Sequence, residues 1–405
     1  MAVGSSNDFD LVVLGAGTGG YTAAFRAAQL GLKVALVDQD KIGGTCLHRG
    51  CIPTKALLES AEMMNRARHL KDYGVLVEGE PAVDYATMAS RRDAVVKRMW
   101  TGLKTLVDKN KVAWVAGRGR LDGPNRIVVQ QSAEDGGSGK ANERILQATD
   151  VIIATGSRVK SLPGLTPNGS TIMTSDDILR RADRPASIVI VGGGAVGVEF
   201  ASFYHDLGTA VTLLEYLPGI VPLEDGEVGQ LLERSFSRRG IRVITNARFD
   251  VAALKLTRKG VSVSVAIEPG DAQPAKPTTP AKPAELIEAE VMLVATGRAA
   301  NVEDIGLDTT KVELERGVIK VNGRMRTREP HVYAIGDVVG GLWLAHTAAH
   351  EGIVAAHTIA GEQDVHEIDY VEQPRATYCR PEIASVGLTE AQCQERGLPY
   401  KVGKV

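Results

Sequence analysis

The chain has little of what would tie it to a membrane, a nucleic acid or the extracellular space. No apolar run reaches the ~18 residues that a membrane-spanning helix requires, so an integral helical membrane protein is not expected. Neither sign of charge dominates: 47 Lys and Arg stand against 49 Asp and Glu, for a net charge of -2. That leaves no basic field for nucleic acid or anionic lipid, and no basic run stands out. Four cysteines in 405 residues are too few to staple a secreted disulfide scaffold. The opening MAVGSSNDFD has neither the charged-then-apolar build of a secretory leader nor the Arg-rich build of a transit peptide. Together these absences predict a cytoplasmic protein, in which a cysteine pair would be catalytic, redox-sensing or metal-bound.

What is present is a repeated α/β pattern in a chain too long for one ordinary core, so two or three domains are expected. Phe9 to Leu14 is a short apolar run suited to a buried strand. Gly15 to Gly20 is glycine-rich, Tyr21 to Leu30 is an Ala-rich helical run, and Lys33 to Val37 is again strand-like and stops at Asp38. That is one βαβ unit. The device recurs at Ser187 to Glu215, with an apolar run, VGGGAVG, an apolar helix ending at Gly208, and the strand AVTLLE. Two strands ending in Thr-Gly, DVIIATGS and EVMLVATGR, form a second matched pair. Between the two units, Ala56 to Val107 reads as helical and Lys111 to Val129 as strands, with a hairpin loop near EDGGSGK. The Pro/Ala/Lys-rich residues 268 to 285 read as an exposed loop between two strands. Beyond Glu329 come a strand, HVYAIGD, a helix from about Ala345 to Ile359, then two strands and a short helix.

Gly15, Gly17 and Gly20 give G-x-G-x-x-G between a strand and a helix, with Asp38 closing the next strand. The first glycine permits the tight turn, the second lets a pyrophosphate approach the backbone, and the third lets the helix pack close. The helix N-terminus attracts the phosphates and the acid bonds ribose hydroxyls. Gly192, Gly194 and Gly197 repeat the motif with Glu215 as the acid. A carboxylate there repels a 2′-phosphate, and the following YLPGIVP carries no arginine to receive one, so NAD is expected over NADP.

The stretch GGTCLHRGCIPTK, residues 43 to 55, holds Cys46 and Cys51. Zinc would need two more ligands, and Cys379 and Cys393 are remote and lack C-x-x-C spacing; no metal site is expected. A disulfide must bring the Cα atoms within ~7 Å, while five helical residues rise about 7.5 Å. A bridge therefore needs an irregular turn, which Gly50 and Pro53 could supply. A helix start and the cations Arg49 and Lys55 would favour a thiolate. Two buried, inert thiols are the plainer alternative.

With two dinucleotide motifs and this C-x4-C loop, the chain resembles the flavin-dependent pyridine nucleotide–disulfide oxidoreductases over nearly its whole length. Within them it most resembles the branch that oxidises dihydrolipoamide. The resemblance implies an α/β fold with two Rossmann-like dinucleotide-binding domains, for FAD and NAD, and a fragment of an α+β interface domain. Residues 1–157 and 297–360 would form the FAD-binding and central part, 158–296 the NAD-binding domain, and 361–405 the partial interface domain. Gly15, Gly17, Gly20 and Asp38 would hold the ADP half of FAD, although the family usually has Glu where Asp38 stands. Asp337, after Gly336 in IGD, would bond the flavin's ribitol. Ala345, in LAHTAAHEG, would open a helix facing the flavin's pyrimidine end. Gly119 and Gly156 match backbone contacts to FAD, and Gly297 one to NAD. The resemblance makes Cys46 and Cys51 a redox-active disulfide, with Cys46 exchanging with the dithiol substrate and Cys51 next to the flavin. Lys55 would stand near flavin N5, ion-paired with Glu199.

The implied partners are dihydrolipoamide on a lipoyl domain, the acyltransferase core of a 2-oxoacid dehydrogenase complex, and a second copy of the chain in a homodimer. Another low-molecular-weight disulfide reductase, or a non-catalytic flavin-binding short form, are the alternatives. The family's C-terminal catalytic base, a histidine in a His-Pro stretch with a glutamate five residues on, is not found. His346 with Glu351 and His357 with Glu362 have the spacing but no proline, and both read as incidental helical pairs. YCRPEIASVGLTEAQ resembles the start of the interface domain, so a truncated or naturally short form with impaired turnover and weaker dimerisation is expected. His48 and Arg49 stand where the family more often has Asn and Val; either they favour a thiolate or they face solvent.

Overall fold

The computed structural model describes residues 8–131, 143–267 and 284–405. EDGGSGK and nearly all of the Pro/Ala/Lys-rich segment lie outside the described residues. The chain divides into two compact units, each assembled from three stretches of sequence.

The first unit comprises Met1–Ile52, Val95–Arg158 and Arg298–Tyr370. Its parallel sheet runs Ala113–Ala116, Val34–Asp38, Asp8–Leu14, Glu143–Ile153 and Val332–Ala334. The apolar runs Leu11 to Leu14 and Val151 to Ile153 are buried on both faces, as parallel strands covered on either side must be. The strand Glu143–Ile153 is shared: its first half pairs antiparallel with Arg126–Gln130, which pairs in turn with Arg118–Leu121. The helix Thr18–Gln29 lies against the helix Ala345–Ile359 at glycine-limited range. A Cβ on Gly19 would stand 2.9 Å from the Ala348 carbonyl oxygen, and one on Gly352 2.7 Å from that of Gly19. Small residues in AHTAAHEG are therefore what allows the approach.

The second unit comprises Pro53–Ala94, Val159–Gly297 and Val371–Val405. Its parallel sheet runs Arg242–Ile244, Ala210–Leu214, Ser187–Val191, Val291–Val294 and Ile172–Thr174. An antiparallel sheet of Ala247–Phe249, Lys255–Thr257, Gly260–Ile267 and Glu285–Ala289 lies beside it. One core cluster gathers Phe200, Phe203 and Tyr204 from the helix Ala195–Asp206 with Leu213, Leu232 and Phe236.

The helical stretch expected over Ala56 to Val107 is two helices, Cys51–Arg68 and Tyr85–Lys109. Gly74 and Gly79, at φ 75° and 78°, and Pro81 interrupt it with turns that a helix cannot absorb. Among the described residues, no helix is long and apolar enough to cross a membrane.

Candidate redox and dinucleotide sites

The glycines of the first unit divide their labour as steric argument requires. Gly15 has φ +106°, and a Cβ there would lie 2.2 Å from the Ala154 carbonyl oxygen. A Cβ on Gly20 would lie 1.8 Å from the Gly15 carbonyl oxygen, whereas one on Gly17 would meet nothing within 4 Å. The turn is thus packed shut behind its first and third glycines and open at the second, where the helix Thr18–Gln29 begins with Gly17 as its N-cap. Open space in front of unpaired helical N–H groups suits an anion. Asp38 is turned back onto this loop: its carboxylate accepts from the Ala16 N–H at 2.7 Å and the Asp40 N–H at 2.9 Å.

The cysteine loop is built onto the same turn. Gly43 donates its N–H to the Ala16 carbonyl at 2.9 Å. A Cβ on Gly44, at φ +58°, would stand 2.6 Å from the Gly17 Cα. Cys46 then lies in the short helix Gly44–Arg49, and Cys51 opens the helix Cys51–Arg68. Between them Gly50 folds the chain so tightly that a Cβ would come 2.9 Å from the Thr45 carbonyl oxygen and 3.3 Å from the Cys46 Cα. This is an irregular turn of the kind that a bridge between the two cysteines needs, and a side chain in it would have to displace the Thr45 backbone. Both cysteines are half-buried.

His48 and Arg49 are bound elsewhere within the unit. The Arg49 guanidinium pairs with Asp40 at 3.1 Å. The His48 ring is 2.9 Å from the Ile42 carbonyl through Nε2 and meets the edge of Trp100. Tyr21 was not marked by any sequence motif, yet it lies within reach of the pair. Burial raises its phenol above the usual range, a hydrogen bond with Thr18 opposes this, and the charges of Cys46 and Cys51 add to the rise.

Asp337 follows Gly336, whose φ of +74° favours glycine. Its carboxylate accepts from the Ser157 hydroxyl, which also accepts from Arg298 Nε at 2.6 Å; Arg298 itself is 3.9 Å from Asp337. The Gly336 N–H donates to Glu351 at 2.5 Å, and the Tyr370 hydroxyl donates to the other Glu351 oxygen at 2.9 Å. Glu351 is 2% exposed, and burial raises its carboxyl to about 7. Ala345 is the first residue of its helix. Gly156, at φ +69°, has open space where a Cβ would be. Gly119 lies in a strand, where a Cβ would press on the ends of the Leu14 and Val37 side chains.

The two histidine–glutamate pairs differ from one another. His346 is exposed while Glu351 is buried. His357 does bond Glu362 through Nδ1, and its Nε2 accepts from Arg26 Nε at 2.8 Å. The ring ties the two packed helices together rather than forming an incidental contact along one helix.

The second unit repeats the cradle. A Cβ on Gly192 would be 2.4 Å from the Ala295 carbonyl oxygen and one on Gly197 1.8 Å from that of Gly192, while Gly194 faces open space. Glu215 is 7% exposed, and its two oxygens accept from the Gly193 N–H at 2.5 Å and the Leu217 N–H at 2.7 Å. A cleft of about 580 Å³ opens over these residues, lined also by Tyr216, Arg248, Phe249 and Gly297. Gly297, at φ +108°, presents its backbone to that space. Sequence reasoning found no arginine beside Glu215 because it searched the adjacent residues; Arg248 arrives from another strand.

Elsewhere in this unit the Lys55 ammonium is 2.8 Å from both oxygens of Glu199. Glu199 also accepts the Tyr378 N–H at 2.9 Å, and the Tyr378 ring lies 4.9 Å from Lys55 Nζ. A buried carboxylate is thus held by a cation and a backbone donor at once. Tyr378 was missed in the sequence, since nothing local marks an aromatic as a lysine's neighbour. Next to it, burial and the charge of Glu199 push the Cys379 thiol up to about 12, which makes it inert.

The chain matches known proteins over nearly its whole length. The family described as pyridine nucleotide-disulphide oxidoreductase matches residues 9–352, and its dimerisation domain matches residues 373–405. The chain is 43% identical to the dihydrolipoyl dehydrogenase of Bacillus subtilis over 403 residues, covering 98% of this chain and 81% of that protein. It is 42% identical to that of Zymomonas mobilis over 398 residues, with the same coverage of 98% and 81%. Among solved structures, LpdA of Mycobacterium tuberculosis superposes with a TM-score of 0.81 at 28% identity, covering 95% of this chain and 80% of that one. The flavoprotein disulfide reductase RclA of Escherichia coli shares the fold, with a TM-score of 0.78 at 23% identity over 96% of this chain and 79% of that one.

Proposed function

The chain belongs to the pyridine nucleotide-disulphide oxidoreductase family, and from that premise we propose that it catalyses the reaction its curated relatives are named for. Dihydrolipoamide and NAD⁺ give lipoamide, NADH and a proton. The observation that carries this reading is the Gly50 fold: it packs the residue before Cys51 against the Thr45 carbonyl and the Cys46 Cα, in a loop whose Gly43 and Gly44 rest on the Gly15–Gly20 cradle.

The residues present suit FAD in the first unit. Gly17 leaves room for a pyrophosphate, Asp38 closes the strand beside it, and Asp337 is held by Ser157 next to the turn. FAD, when bound, supplies a two-electron acceptor between a dithiol and NAD. Cys46 is the residue we assign to exchange with the substrate disulfide or dithiol, and Cys51 the one that faces the cofactor. In that exchange a substrate thiolate attacks the Cys46 sulfur of the Cys46–Cys51 disulfide, forming a mixed disulfide and releasing Cys51 as a thiolate. The second substrate thiolate then displaces Cys46 to close lipoamide, leaving both cysteines reduced. Lys55 is the cation we assign to the reacting end of the cofactor, by its match to the family's lysine, and Glu199 with Tyr378 fixes its ammonium. The second unit takes NAD: Gly192, Gly194 and Gly197 cradle the phosphates, Glu215 meets the ribose and Gly297 borders the cleft. The FAD and central region is assigned to 1–157 and 297–360, the NAD domain to 158–296, and the interface domain to 361–405.

The dimerisation-domain match supports a homodimer. Dihydrolipoamide borne on a lipoyl domain, within a 2-oxoacid dehydrogenase complex, is the substrate form this function implies.

The test combines turnover with thiol labelling. Flavin-loaded protein treated anaerobically with NADH should take up two more alkyl groups than the oxidised protein, at Cys46 and Cys51 by mass spectrometry. Cys46→Ser and Cys51→Ser should keep flavin and lose oxidation of dihydrolipoamide. Turnover that survives in either variant would refute the assignment.

A further inference from the structure

The nucleotide cleft of the second unit contains a cation that its local sequence does not disclose. The Arg248 guanidinium stacks on the Tyr216 ring, 3.6 Å from the centroid. This contact is fixed by the backbone. Ala247 donates its N–H to the Glu215 carbonyl at 2.8 Å, and Asn246 donates to the Leu217 carbonyl at 3.0 Å. The strand Ala247–Phe249 is thereby stitched along Glu215 to Leu217, which places Arg248 beside Tyr216. Tyr216 is exposed, so the stack stands at the mouth of the cleft, whereas Glu215 is buried at its wall.

Two opposite charges therefore border the same opening. Glu215 cannot swing aside, because both its oxygens are held by the backbone N–H groups of Gly193 and Leu217. Arg248 presents a planar, permanently charged fork of the kind that receives phosphate oxygens. A ribose with a free 2′-hydroxyl is compatible with both groups. A 2′-phosphate is repelled by the first and attracted by the second.

We propose that Arg248 is a specificity-determining residue of this cleft, a 2′-phosphate acceptor kept latent by Glu215, so that dinucleotide preference is set by the balance of the two charges. The Tyr216 ring holds the guanidinium against the opening. Neutralising Glu215 exposes a working site for a 2′-phosphorylated nucleotide, and removing Arg248 takes that site away. The inference rests on the reading of this cleft as the NAD site.

Two fragments that differ by a single group test it, 5′-AMP and adenosine 2′,5′-bisphosphate. Their binding to flavin-loaded protein is measured by calorimetry, so that the first nucleotide site is already filled and turnover is not needed. Wild type should prefer 5′-AMP. Glu215→Gln should bind the bisphosphate more tightly by about tenfold or more, with a smaller change for 5′-AMP, and adding Arg248→Ala should abolish that gain. If Glu215→Gln fails to fold, the wild-type background decides. There Arg248→Ala should weaken the bisphosphate more than 5′-AMP, and Arg248→Lys should restore part of the difference. Equal losses for the two ligands would overturn the proposal while leaving the NAD site intact, and so would a bisphosphate gain that survives Arg248→Ala. Failure of 5′-AMP to bind any form would overturn the NAD reading, and the proposal with it.

Discussion

Replacing Glu351 with glutamine should stabilise the first unit near neutral pH and leave it unchanged in acid. The carboxyl is 2% exposed and is raised from 4.5 to about 7, mainly by burial, with the Asp337 charge a lesser contribution. Between about pH 4.5 and pH 7 the folded chain holds a proton on Glu351 that the unfolded chain has released. Stability therefore falls as pH rises through that window and levels off above it. A shift of this size corresponds to about 3 kcal/mol, at ~1.36 kcal/mol per pH unit. Glutamine has the shape of the protonated acid. Its oxygen can accept the Gly336 N–H, and its NH₂ can face the Tyr370 hydroxyl, which is able to accept as well as donate. The variant should thus lose the pH dependence and gain up to about 3 kcal/mol above pH 7.

Urea unfolding followed by tryptophan fluorescence is the suitable assay, because all three tryptophans, Trp100, Trp114 and Trp343, belong to this unit. Midpoints taken at steps across that window for both proteins give the difference curve. Parallel curves, or a variant less stable than wild type above pH 7, would show that Glu351 is charged in the fold and that burial does not dominate.

Gly50→Ala should leave the protein folded and flavin-loaded but cut turnover by about a hundredfold, the scale of a misplacement of about 1 Å, because its Cβ would press on Thr45 and Cys46. Steady-state kinetics beside a flavin absorbance ratio would check this, and full turnover would mean the loop relaxes at no cost. Gly17→Ala and Gly20→Ala should fail differently, since one Cβ enters open space and the other lies 1.8 Å from a carbonyl oxygen. Gly17→Ala is expected to fold with native circular dichroism and lose flavin, and Gly20→Ala to lose fold and flavin together. Identical unfolding of both would contradict the division of roles among the glycines.

The sequence carried much of this in local form. The glycine spacing, the strands on either side and the closing acids were readable because a βαβ turn is a short-range device, and its steric demands fall on adjacent residues. The cysteine loop was readable for the same reason, down to the need for an irregular turn at Gly50. The helix expected through Ala56 to Val107 was less legible, because apolar periodicity continued past Gly74, Gly79 and Pro81 into a second helix with the same pattern. Gly119, matched to a cofactor contact, also packs directly under the Leu14 and Val37 side chains. A requirement for glycine is visible in a sequence; the reason for it is not.

By itself, then, the sequence determined the two glycine-rich turns, the cysteine loop and the acids beside them. The tertiary structure alone decided what each charged group answers to. It turned Arg49 toward Asp40 and fixed Lys55 between Glu199 and Tyr378. It buried Glu351 under Gly336 and brought Arg248 across from another strand onto Tyr216. The reason is one of range. Backbone geometry is dictated by neighbours in the chain, whereas burial and charge pairing depend on residues that meet only when the sheets and helices pack.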